Sequence, residues 1–214
     1  RRKSMYMPDL FAVNDRQTQI DFIRTSGWGY LMGVIDDEPY VTHLPFLVTG
    51  GTGEEKLVAH MARANPHWES FANGKPQLVV FPGPHTYITP SWYNTDKAVP
   101  TWNYTTAHVY GTPVVIDDPQ TVYAGQQDLV NHYEAQFDMP WRMEDMDTNF
   151  IDGMLRAIVS FEILIERIQC KFKLNQNRPA EDQRCVVDAL ESSTDANAKA
   201  VAELMKTHVL ETAE

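Results

Sequence analysis

The segment WGYLMGVIDDEPYVTHLPFLV, residues 28–48, decides the fold. Trp28 to Ile35 is rich in aromatic and β-branched residues, DDEP interrupts it with turn formers, and Tyr40 to Val48 returns. Strands joined by so short a link lie antiparallel, because a parallel return needs a crossover of about a dozen residues or more. Pro45 has no amide proton to give a ladder, so the second strand belongs at an edge or a bulge.

Before the hairpin, Asn14 to Gly27 predicts a helix, with Asn14 and Gln17 at capping-box spacing and Gly27 as a stop. After it, TGGTGEE predicts a loop. Lys56 to Asn65 then predicts a short helix, since Leu57, Met61 and Ala64 recur at i, i+4 and i+7 and Pro66 follows. His60 and Arg63 would then sit on neighbouring helical positions and address one ligand together. Further strands are expected from Gln77 to Phe81, continuing past a PGP kink to Thr89, and from Thr101 to Ile116. Pro119 to Phe137 and Asp147 to Ile158 read as helical.

From Phe161 to Leu174 the apolar residues change phase: Phe161, Ile163 and Ile165 are odd, whereas Ile168, Cys170, Phe172 and Leu174 are even. A strand has period two, so this predicts a bulge near Glu166 and Arg167. The part from Ala180 onward is helical in pattern, with Ala198, Val201, Met205 and Val209 as a stripe. The sum is an α+β protein built around an antiparallel barrel.

A chain of 214 residues and 24.4 kDa is expected to form one domain. No apolar run approaches the roughly 20 residues that span a bilayer, and RRKSMYMPDLF lacks the apolar core of a secretory signal. Cys170 and Cys185 are too few for a disulfide framework, which points to a reducing cytoplasm. A net charge of −11 disfavours nucleic-acid binding, although Arg167, Lys171, Lys173, Arg178 and Arg184 form a local basic cluster. There is no GxGxxG, Walker or GxSxG motif, and the seven histidines lack metal-ligand spacing.

Thr89 to Gly111 packs Trp92, Tyr93, Trp102, Tyr104 and Tyr110 among hydroxyls and amides. Such side chains carry polar tips that need partners when buried, so this stretch is expected to be half core and half binding wall. Thr42 and His43 sit where Pro45 loosens the strand, and the Arg63 fork suits a phosphate.

The segments MYMPDLFAV, THLPFLV, LVAHMARANPHW, FPGPHTYITPSWY, VPTWNYTTAHVYG and KFKLNQNRP, in that order, resemble the PaiB-type branch of the flavin-binding split-barrel family. The resemblance implies a six-stranded antiparallel split β-barrel with flanking helices over residues 1–179 and a helical extension over 180–214. It also implies a homodimer with FMN at the subunit interface. Arg63 and a lysine of KFK, Lys171 or Lys173, would meet the phosphate, and Thr42, His43 and Leu44 would lie at the flavin edge. His60, Asn65, Trp102 and Asn103 complete the expected cofactor contacts. The flavin carries any redox chemistry, so no catalytic residue is assigned and an FMN-dependent oxidoreductase activity is left open. Family members are described as transcriptional regulators, and any DNA contact would use the lysine cluster or an associated protein. More distant split barrels handle haem, for which His43, His60, His85 and His208 are the candidate ligands. Ser160, where the family tends to have glycine, and Gln169 and Cys170 before KFKL depart from the pattern.

Overall fold

A computed structural model describes residues 5–95 and 97–210. The described residues form two compact units, one of residues 23–80 with 109–168, the other of 5–22 with 81–95, 97–108 and 169–210. The elements in order are β1 (Ala12–Val13), α1 (Arg16–Ser26), β2 (Trp28–Ile35), β3 (Glu38–Pro45), β4 (Leu47–Thr49) and β5 (Lys56–Ala62). Then come β6 (Gln77–Ile88), β7 (Thr101–Gly111), β8 (Pro113–Ile116), α2 (Pro119–Glu134) and α3 (Thr148–Arg156). Last are β9 (Ile158–Leu164), β10 (Arg167–Lys173), α4 (Ala180–Glu191) and α5 (Ala196–Met205). The expected six-stranded antiparallel sheet has the order β1-β10-β7-β6-β2-β3, and a four-stranded sheet, β4-β5-β9-β8, accompanies it.

The β2–β3 hairpin is in the register Trp28↔Pro45 to Ile35↔Glu38. Asp36 and Asp37 both have left-handed backbone, φ 50° and 63°, as a two-residue turn that matches strand twist requires. β3 is an edge strand, so the missing amide proton of Pro45 costs no ladder bond; there the chain leaves the sheet and continues as β4 in the other.

Residues 56–62 are a strand and not the expected helix. The spacing of Leu57 and Met61 fits a helical period, but these two also lie on one face of a strand together with Ala59, and all three are buried. Pairing decides between the periods: β5 bonds β4 on one side and β9 on the other, with Lys56↔Leu164 through Ala62↔Ile158. Pro66 accordingly opens a helical turn, Pro66–Asn73, instead of closing a helix, with Asn65 as its cap.

The phase change after Phe161 is real, and its cause is a change of sheet instead of a bulge. β9 belongs to the four-stranded sheet and β10 to the six-stranded one. β7 and β8 make a similar passage at Thr112. The Glu166 carboxylate accepts from the Thr112 amide at 3.1 Å and its hydroxyl at 3.0 Å, which ties the two passages together. Gly111 fits here because a Cβ would come within 2.1 Å of the Leu164 carbonyl oxygen.

In this unit Leu31, Leu57, Val79, Phe161 and Ile163 are fully buried, and Phe46 and Phe71 both pack on Phe161. In the other, the stripe Ala198, Val201, Met205 and Val209 is buried as its spacing requires. Both cysteines are free, and burial pushes the Cys170 thiol up to about 12. In the native protein a thiol reagent should therefore modify Cys185 alone; two equally fast modifications would contradict this burial. No described helix is long and apolar enough to cross a membrane, and no metal-holding group of His, Cys, Asp and Glu occurs among the described residues.

Candidate functional site

One face of the four-stranded sheet carries Val58 and His60 of β5, Ser160 of β9 opposite His60, and Ile116 of β8 opposite Ser160. α2 reaches this face, with Gln126 donating to the Ser160 hydroxyl at 3.5 Å. Helix starts are set by side-chain caps: Asp118 accepts from the Thr121 amide and Asp147 from the Phe150 amide. Ser160 is thus a hydrogen-bond acceptor on the face of this site.

Between α2, α3 and the sheet lies a cavity of about 650 Å³ whose wall includes Arg63, Arg156, Ile116, Tyr123 and Leu155. Arg63 follows β5, and its guanidinium donates from Nε to the Arg156 carbonyl at 2.9 Å and from Nη2 to the Ile158 carbonyl at 2.7 Å. Its main-chain amide donates to Ala157 at 2.8 Å. The side chain thereby closes the end of α3 and is held in place, while the guanidinium has further N–H donors. Asp117 and Asp152 also line the cavity, so its polar rim carries both signs. Arg156, Gln120 and Tyr123 were not singled out by sequence; the only signal for Arg156 was its place at the end of an amphipathic helix.

Thr42, Asn65 and His67 form a closed knot. The Thr42 hydroxyl bonds His67 Nδ1 at 2.8 Å, Asn65 Nδ2 donates to that hydroxyl at 3.1 Å, and Asn65 Oδ1 accepts from the His67 amide at 3.0 Å. Thr42 and Leu44 point inward, whereas His43 is exposed against Tyr30, because alternate residues of β3 face opposite ways. His67 Nε2 and Gln77 Oε1 are buried and face the Cα of Gly33, where a Cβ would lie about 2.5 Å from each. Burial lowers the pKa of His67, the Gln77 carboxamide opposing, and burial lowers that of His60.

Both histidines therefore accept a proton less readily folded than unfolded, where the ordinary value is 6.5. The unfolded chain gains protons first as pH falls, so stability is complete above about 6.5 and declines below it toward the lowered folded values. Urea unfolding between pH 7.5 and 5.5 should show this decline, reduced in His60→Gln; a midpoint that rises on acidification would contradict it.

The remaining expected residues lie in the other unit. Trp102 is 54% exposed and packs beside His85 and Tyr87. Lys173 Nζ donates to the Thr101 hydroxyl and, at 2.6 Å, to the Trp102 carbonyl. Burial, then the charge of Lys171, lowers its pKa. Lys171 is buried, donating to the Tyr6 carbonyl at 3.1 Å with its ammonium 5.1 Å from the Tyr104 ring. Asn103 is fully buried, with Nδ2 on the Met205 sulfur and Oδ1 without a partner. Arg178 lies over Tyr93 in this unit, and Arg167 lies over Tyr110 in the first. Much of the basic cluster thus serves tyrosine rings and main-chain carbonyls.

The family described as "Putative FMN-binding domain" matches residues 5–167. Over 202 residues the chain is 32% identical to protease synthase and sporulation protein PAI 2 of Bacillus subtilis, covering 94% of this chain and 97% of that one. Among solved structures, the conserved hypothetical protein Rv2991 of Mycobacterium tuberculosis superposes with a TM-score of 0.57 at 13% identity, over 81% of this chain and 93% of that one. The FAD and heme binding protein of Mycobacterium smegmatis does so with 0.54 at 17% identity, over 81% and 78%. Those superpositions show a shared fold, the split barrel with its six-stranded antiparallel sheet. The match to residues 5–167 and the end-to-end likeness to the Bacillus protein lead to one conclusion: this chain belongs to the family described as "Putative FMN-binding domain".

Proposed function

We propose that the chain binds FMN in the cavity that Arg63 and Arg156 border, acting as a homodimer in a reducing cytoplasm. The observation that carries this reading is the pairing of two guanidiniums with an apolar wall in a cavity of about 650 Å³, all of it within the matched residues 5–167. Such a cavity suits a ligand that is flat and largely apolar at one end and dianionic at the other. Arg63, fixed by the carbonyls of α3, orients its remaining donors, and Arg156 adds a second charge. Ile116 and Leu155 would exclude water from a ring, and Gln120 and Ser160 offer hydrogen bonds. A bound flavin supplies hydride or electron transfer itself, so these residues bind and orient.

Exposed Trp102, Tyr87 and Val99 in one unit, and Phe137, Met139 and Phe150 in the other, support self-association. Regulation is the second reading, favoured by the name of the Bacillus relative. The lysines that would meet DNA are turned toward Tyr6, Thr101 and Trp102, so it would act through a ligand or a protein partner.

Titrating the purified, cofactor-free protein with FMN should quench flavin fluorescence at one site per chain. Light scattering should give twice the 24.4 kDa chain mass. No quenching, or a Soret band with haem and no response to FMN, would overturn the cofactor; a 24.4 kDa particle with FMN present would overturn the dimer.

A further inference from the structure

The floor of the arginine cavity is laid by the four-stranded sheet. Side chains alternate along β9, so Ile158 and Ser160 face α2 and α3, whereas Phe161 faces the core and packs on Phe46 and Phe71. The strand residues that line the cavity are Val115, Ile116, Ile158, Val159 and Ser160, and of these Ser160 alone has a polar side chain. His60, opposite it on β5, lines a separate cavity of about 300 Å³.

Ser160 is only 4% exposed. Its oxygen accepts from Gln126 at 3.5 Å, the long end of the hydrogen-bond range, and no described residue accepts its proton. A hydroxyl donates one bond and accepts two, so the donor half of this group is uncommitted. A flat ring that covers an apolar floor shuts water out of it. Such a ring must bring an acceptor of its own to this point or leave a buried donor bare, at a cost that falls on binding.

We propose that Ser160 is the specificity-determining donor of this cavity: its hydroxyl bonds an acceptor atom on the flavin ring, a carbonyl oxygen or an unprotonated ring nitrogen. This rests on the flavin reading and adds the residue that recognises the ring, where Arg63 and Arg156 are assigned to the phosphate. The two kinds of contact are separable, because the hydroxyl is neutral and sits on a strand, while the guanidiniums border the cavity from the ends of β5 and α3.

The test uses two flavins that share the ring and differ in the phosphate, FMN and lumiflavin, each titrated into the flavin-free full chain and followed by fluorescence quenching. Ser160→Ala should weaken both by the same factor, about three- to tenfold, the value of one neutral hydrogen bond. Arg156→Ala should weaken FMN and leave lumiflavin unchanged. Flavin-free Ser160→Ala should melt no earlier than the wild type, since no described group takes the Ser160 proton and Gln126 is only half-buried. The proposal is overturned if Ser160→Ala binds both flavins as the wild type does, or if it weakens FMN but not lumiflavin. A variant that melts earlier with unchanged binding would overturn it too, because the hydroxyl would then serve Gln126 alone. So would a wild type that binds FMN but no lumiflavin, in which the ring has no site of its own. In each of these cases FMN still binds and the flavin reading stands; if neither flavin binds the wild type, both fall together.

Discussion

Gly111→Ala should destabilise the protein by about 3 kcal/mol or more, a fall in melting temperature of roughly 6–12 °C for a chain of this size. The added Cβ would lie 2.1 Å from the Leu164 carbonyl oxygen and 2.6 Å from Ile163 Cγ2. The first of these is a main-chain atom at the end of β9, and Ile163 is paired with Pro113 of β8. The corner can yield only by loosening the pairing of Leu164 with Lys56 of β5, that of Ile163 with Pro113 of β8, or the Glu166–Thr112 bonds. Gly51→Ala is the control, because nothing lies within 4 Å of a Cβ there. A melt by circular dichroism should show Gly51→Ala close to the wild type. Equal melting temperatures for the two variants would mean that the corner yields without cost.

Arg63→Ala should weaken FMN binding about ten- to hundredfold, the value of one or two charge-assisted hydrogen bonds. It should also lower the melting temperature of the flavin-free protein, since the Arg156 and Ile158 carbonyls lose their donor. These carbonyls are reached by an exposed side chain, so water replaces part of the loss and the cost is about 1 kcal/mol. Arg63→Lys keeps the charge but not the planar fork and should lose less affinity. Arg156→Ala separates the two roles: its side chain is exposed, so affinity should fall with no change in melting. If Arg63→Ala melts earlier yet binds FMN as the wild type does, its guanidinium serves α3 alone.

Much of the architecture was legible because it is written in local periods. The turn at Asp36 and Asp37, the helical stripe from Ala198 to Val209 and the phase change after Phe161 each follow from side-chain direction within a few residues. Composition also foretold that the tyrosines of residues 89–111 would need polar partners. Which partners they took was not legible: Arg178 comes to Tyr93 and Lys171 to Tyr104 only through strand pairing and chain return.

The same limit explains the misread segment and the site. Leu57 and Met61 satisfy a helical period and a strand period alike, so residues 56–62 carry no local answer; hydrogen bonding to β4 and β9 on either side gives it. Once β5 is a strand, His60 and Arg63 no longer share a helical face. Arg63 instead closes the end of α3, 93 residues away along the chain, and His60 faces a different cavity. Local side-chain sterics bias each segment by about a kilocalorie per mole per residue or less, enough to mark turns and stripes. Strand register brings distant residues within bonding distance, and register is a property of two segments together, which neither encodes alone.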